Sequence, residues 1–155
     1  MTRPNIICVS IDSLRADYCS LFDSVEQDTT PFLQSLSSES AVFDSAISPC
    51  TWTLPVHTSV FTGLFPPEHG VTTGGAVLGN HPTFAELLAQ NGYSTSAFYR
   101  NSWLDTGDIL RGFEKRRRGD TDSEEDPNTS IKEGIADSIG DISPRAESVL
   151  VGGYR

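Results

Sequence analysis

Six residues near the amino terminus, Ile6-Ile7-Cys8-Val9-Ser10-Ile11, form a nearly continuous apolar run that stops at Asp12. Strict alternation marks a strand with one wet face. An unbroken run marks a strand covered on both faces, as in a parallel sheet flanked by helices. A buried strand is therefore expected over 5–11. Thr30-Pro31, followed by Phe32, Leu33 and Leu36, predicts a helix with a capping hydroxyl and proline at its first position. Ala41 to Ile47 predicts a second strand, and 57–64 a short helix. Thr83-Phe84-Ala85-Glu86 is a capping box that opens a helix over Phe84 to Gln90, and Asn91-Gly92 ends it. Tyr93 to Tyr99 alternates toward a third strand. Strands interleaved with helices predict an α/β fold with a doubly wound, mostly parallel sheet and flanking helices.

The pattern changes after Glu114. A basic run, Lys115 to Arg118, is followed at once by an acidic one, Asp120 to Asp126. Beyond it apolar residues are sparse apart from Val149-Leu150-Val151. Residues 1–118 are expected to form the folded α/β region. Residues 119–155 are expected to be a loosely ordered acidic tail or a truncated continuation, which leaves the fold incomplete on its carboxyl-terminal side.

Charge narrows the partners. The formal net charge is −10, with two lysines against nine arginines. Nucleic acid requires a basic face, so it is not an expected partner. The acidic tail supplies five of the 21 acids, so the bias extends through the whole chain and fits a salt-adapted, halophilic host. No run reaches the roughly 18–20 apolar residues that span a bilayer. No signal peptide is recognisable at the start, which points to the cytoplasm. Cys8, Cys19 and Cys50 match no zinc spacing and are expected to be reduced, buried thiols.

Two segments carry the chemistry. Asp12 stands at the carboxyl end of the expected first strand, where open α/β sheets bind ligands, and its carboxylate suits a hard cation. The same position equally suits a residue that caps the following turn. The second segment is Thr51-Trp52-Thr53-Leu54-Pro55-Val56-His57-Thr58-Ser59-Val60-Phe61-Thr62-Gly63, continued by Pro66-Pro67-Glu68-His69-Gly70. A threonine hydroxyl attacks well only when a metal or base activates it, and the amino end of a helix helps to hold an anionic substrate. His57 is placed to touch the substrate or orient that hydroxyl. Composition alone is also satisfied by an ordinary turn with Thr53 as a helix cap.

Asp-Ser-Leu-Arg-Ala-Asp after an apolar strand, followed about 40 residues later by Thr-x-Pro-x-His-x-Ser-x-x-Thr-Gly-x-x-Pro-x-x-His-Gly, resembles the sulfatase and nucleotide pyrophosphatase/phosphodiesterase branches of the alkaline-phosphatase superfamily. Thr83 to Leu88, Gly92 to Phe98, Asn101-Ser102-Trp103-Leu104 and Arg111 to Glu114 agree with it, so the likeness covers residues 4 to 114. It implies that Thr53 is a covalent nucleophile and metal ligand and that Asp12 is a metal ligand. The implied cofactor is a divalent cation, calcium or magnesium for a sulfatase-like site, zinc or manganese for a diesterase-like one.

Register separates Thr53 from Cys50. Formylglycine sulfatases begin from Cys-x-Pro-x-Arg, but the residue two after Cys50 is Trp52. Counting back ten from Gly63 lands on Thr53, with Pro55 and His57 in the matching places. The chain departs from the family pattern elsewhere. Ser13 stands where many sulfatases carry a second Asp, and Gly74 stands where relatives commonly place an Asn that contacts the transferred group. The histidines are His57, His69 and His81. None follows an Asp, as the family's later ligands do.

Three readings result. One is a metal-dependent hydrolase of sulfate or phosphate esters, acting on a small-molecule substrate with Thr53 attacking, His57 assisting and Asp12 holding the cation. Another is a truncated, inactive remnant, or half of a split enzyme whose second chain completes the metal site. The third is a generic α/β binding module, for which no Gly-x-Gly-x-x-Gly or P-loop speaks.

Overall fold

The computed structural model describes residues 4–22 and 25–119. The chain divides into two compact units, one up to Ser48 and one from Pro49 onward.

The first unit holds short 3-10 turns at Ala16–Tyr18 and Ser20–Phe22 and one helix, α1, Pro31–Ser37. Pro31 takes the first helical position, where its missing N–H costs nothing. Thr30 precedes it, but its side chain makes no cap hydrogen bond. The Thr30 hydroxyl lies instead 3.1 Å from Ser20 Oγ, and Ser20 Oγ accepts from the Thr30 N–H at 3.0 Å and donates to Asp28 Oδ1 at 2.9 Å. The buried Ser20 thus ties its turn to the start of α1. Arg15 grips Asp17 with two hydrogen bonds, Nε to Oδ1 at 2.9 Å and a terminal nitrogen to Oδ2 at 2.6 Å.

Neither strand expected in this unit forms. Residues 5–11 and 41–47 belong to no sheet, and their apolar side chains are exposed, Ile6 at 58% and Ile47 at 91%. Cys8 is exposed rather than buried, while Cys19 is buried and Cys50 half-buried. The reason is that a strand is not a local structure. Apolar content makes a run suitable for a sheet, but only a ladder with a neighbour satisfies its backbone.

The second unit is built around α2, Thr53–Thr62. Trp52 leads in with an extended backbone, and Pro55 sits in the first turn, where no intrahelical N–H bond is needed. The expected 57–64 helix therefore starts four residues earlier, with Thr53 as its first residue. Thr58 Oγ1 and Thr62 Oγ1 donate back to the carbonyls of Leu54 and Thr58, each at 2.7 Å. Gly63, at φ 72°, stops the helix in the left-handed conformation. The short α3, Pro66–His69, follows.

Helix α4, Phe84–Gln90, is bounded as expected. Thr83 Oγ1 accepts from Glu86 N–H at 3.2 Å, and Glu86 Oε2 accepts from Thr83 N–H at 2.9 Å. The same Thr83 hydroxyl donates to the Arg111 carbonyl at 2.7 Å, which docks a distant loop on the helix start. Gly112 follows in that loop at φ 86°. A Cβ there would lie 2.2 Å from Glu86 N, so only glycine permits the approach.

Strand β1, Ser96–Tyr99, pairs in parallel with β2, Lys115–Arg118, Ser96 opposite Lys115 and Tyr99 opposite Arg118. The described fold is thus a small α/β arrangement with one two-stranded parallel sheet. The third expected strand is present in its second half, and the basic run taken to mark a change of character is itself a strand. Leu54, Val71, Leu78, Leu104, Ile109 and Leu110 form the buried core of this unit. Beside it Phe61, Phe84 and Phe113 meet edge to face in all three pairings, with centroids 5.3–5.9 Å apart. Residues 120–155, including almost all of the expected tail, lie outside the described residues.

Candidate functional site

Thr53 occupies the first position of α2 and is half-buried. There its hydroxyl lies at the positive end of a ten-residue helix, a setting that favours an anion. The extended Trp52 before it and the proline two positions after it fix this start. Cys50 lies outside the helix.

Asn101 converges on the same hydroxyl. Its Nδ2 donates to Thr53 Oγ1 at 3.0 Å, across 48 residues of sequence. Asn101 also caps the 3-10 turn Ser102–Asp105, its Oδ1 accepting from the Trp103 N–H at 3.0 Å. Trp103 packs edge to face on Trp52, centroids 5.3 Å apart. Neighbouring residues therefore brace the start of α2 and this turn against each other. In the sequence, Asn101-Ser102-Trp103-Leu104 stands out only as part of a resemblance. Its available local signal was an Asn directly before a short turn, the pattern of a cap.

His57 stands one helical turn after Thr53. Its Nδ1 lies 2.9 Å from the Thr53 carbonyl. A carbonyl only accepts, so this nitrogen carries the proton and Nε2 is the basic one. This contact of His57 with Thr53 is thus to the main chain, and the ring packs edge-on against Phe61 at 5.9 Å.

His69 is different in kind. It is buried, its Nδ1 accepts from the Val71 N–H at 3.0 Å, and its Nε2 lies 3.1 Å from Ser59 Oγ. Both nitrogens are used in joining α2 to the turn after α3. Burial holds the pKa of this imidazole below the usual histidine value. His81 is exposed and its carbonyl accepts from Arg111 at 2.7 Å. Gly74 lies under Trp103. A Cβ there would sit 2.7 Å from Trp103 Cζ3.

Asp12 belongs to the first unit and Thr53 to the second. Ser13, beside Asp12, adopts a left-handed backbone at φ 61°. Among the described residues no group of three or more His, Cys, Asp or Glu side chains could hold a metal ion. The described residues therefore do not by themselves fit a complete cation site. Among the described residues no helix is long and apolar enough to cross a membrane.

The chain is thus a small α/β protein that presents a threonine hydroxyl at a helix start. The Sulfatase family model matches residues 4–151. The chain belongs to the sulfatase family, within the alkaline-phosphatase superfamily, a family of ester hydrolases that generally use a divalent metal. No curated protein and no solved structure matches it.

Proposed function

We propose that this chain is a metal-dependent hydrolase of sulfate or phosphate esters with Thr53 as its nucleophile. The observation that carries the reading is the Thr53 hydroxyl at the amino end of α2, accepting a hydrogen bond from Asn101. Sulfate monoesters and phosphate diesters are both tetrahedral monoanions, so the positive end of the helix suits either. Thr53 Oγ forms a bond to sulfur or phosphorus and gives up its proton, while the ester bond breaks and the leaving oxygen departs as the alcohol. Water then cleaves the covalent ester, returning the Thr53 hydroxyl and releasing inorganic sulfate from a sulfate monoester or a phosphate monoester from a phosphate diester. His57, with Nε2 as its basic nitrogen, assists the proton movements.

Asp12 and Thr53 are the oxygen donors this chain offers to a divalent cation. Calcium, magnesium, zinc or manganese would suit its oxygen donors, and the cation's chemistry would be to polarise the ester and acidify the hydroxyl. Two such ligands alone bind weakly. This supports a second reading, in which another polypeptide supplies the remaining ligands or the chain is inactive. The substrate is a small-molecule ester. Its recognition draws on neither nucleic acid nor membrane, a reading supported by the acidic balance.

The test is turnover of aryl sulfates and aryl phosphate diesters with each divalent cation, for wild type and Thr53→Ala. Metal-dependent turnover that Thr53→Ala abolishes supports the first reading. Activity that appears only with a second chain supports the split enzyme, and equal rates in both proteins exclude Thr53.

A further inference from the structure

We infer that Asn101 is a positioning residue for the nucleophile, holding Thr53 Oγ as an acceptor so that the oxygen is stabilised as its proton leaves. The inference rests on the hydrolase reading for its kinetic consequence, but its geometry stands independently.

An asparagine amide has an accepting and a donating end, and hydrogen bonds decide which faces where. The Trp103 N–H is a donor, so Oδ1 faces it, at 3.0 Å. The opposite end of the amide is therefore Nδ2, which faces Thr53 Oγ1 at 3.0 Å. No flip satisfies both contacts, because the reversed amide would set donor against donor at Trp103. The cap that builds the Ser102–Asp105 turn thus also sets the polarity of the contact to Thr53.

This polarity has a chemical consequence. An N–H donor favours the charged form of an oxygen, and the bond strengthens as charge develops. A donor held in advance costs no reorganisation at the moment of reaction. The Trp103–Trp52 contact keeps the two elements in register, since Trp52 immediately precedes Thr53 and Trp103 follows Asn101 by two. Asn101 need not touch the substrate. It acts through Thr53.

The discriminating variant is Asn101→Asp. It keeps an oxygen for the Trp103 N–H, and so keeps the cap, while replacing the donor to Thr53 by a carboxylate oxygen. In the full-length chain the melting temperature should stay within a few degrees and KM within about twofold, while kcat falls on the order of 100-fold. A kcat like wild type overturns the inference, as does a loss confined to KM or accompanied by lost folding. A second measurement is independent of turnover. In side-chain amide NMR spectra of the full chain, Thr53→Val should shift the Asn101 Nδ2 protons upfield and speed their exchange; no change overturns the inference. Should wild type hydrolyse no ester while these resonances respond, the hydrolase reading fails and the positioning contact stands.

Discussion

His69 Nε2 lies 3.1 Å from Ser59 Oγ, and the same ring accepts the Val71 N–H through Nδ1. Accepting at Nδ1 requires that nitrogen to be unprotonated, and burial lowers the pKa further. In the unfolded chain the same group titrates near the ordinary histidine value of 6.5. Between the lowered value and 6.5 the unfolded state binds more protons, so stability rises with pH across that window and falls on acidification. Thermal melts from pH 7.5 to 5 should show this loss. His69→Gln should be less stable at neutral pH and show a flatter pH dependence, whereas an unchanged slope would contradict the assignment.

Gly112 meets α4 at its first turn, where a Cβ would lie 2.2 Å from Glu86 N at a φ of 86°. Both strain and overlap with rigid backbone oppose a side chain, so Gly112→Ala should cost at least about 1–3 kcal/mol. Gly75 has nothing within 4 Å of its Cβ position, and Gly75→Ala should be close to neutral. Urea denaturation of the two variants makes the comparison.

Thr83 uses one hydroxyl for two tasks, capping Glu86 N–H and holding the Arg111 carbonyl. Thr83→Val keeps the shape and loses both, for an expected cost of about 1–3 kcal/mol in denaturant midpoints. Thr83→Ser should recover most of it. A loss in Thr83→Ser with none in Thr83→Val would show that the methyl group, not the hydroxyl, matters.

Gly74 and Trp103 form a coupled pair. Gly74→Asn should force the indole aside, lowering stability and shifting tryptophan fluorescence, since even the first side-chain atom would begin 2.7 Å from Trp103 Cζ3. Adding Trp103→Ala should relieve the clash, giving a non-additive double-mutant cycle. Strict additivity would contradict the contact.

Legibility in the sequence followed the range of the interactions. Helix α4 was readable because Thr83, Glu86, Asn91 and Gly92 specify both ends within one short window. α1 was readable through Pro31, although the Thr30 hydroxyl turned to Ser20, a partner ten residues away. α2 begins four residues before the expected 57–64 helix because a proline such as Pro55 fits inside a first helical turn as well as in the turn before it. The runs at 5–11 and 41–47 have the right composition for strands, but composition does not supply a neighbour. β2 was hidden for the converse reason. Four basic side chains look unlike a strand, yet all four are exposed, and Arg118 finds Asp105 at 2.7 Å. Thr53 itself stood out by motif spacing, whereas the Asn101 amide that meets it is a contact across 48 residues, invisible to local pattern.

Thr53 Oγ is proposed as the atom that attacks the ester. Intact-protein and peptide mass spectrometry after rapid acid quenching, with an aryl sulfate or aryl phosphate diester and a divalent cation present, tests it most directly. The expected result is a sulfuryl or phosphoryl adduct on the peptide containing Thr53, absent from Thr53→Ala and more abundant when the leaving group is better. Turnover with the adduct on another residue, or turnover that persists in Thr53→Ala, would contradict it.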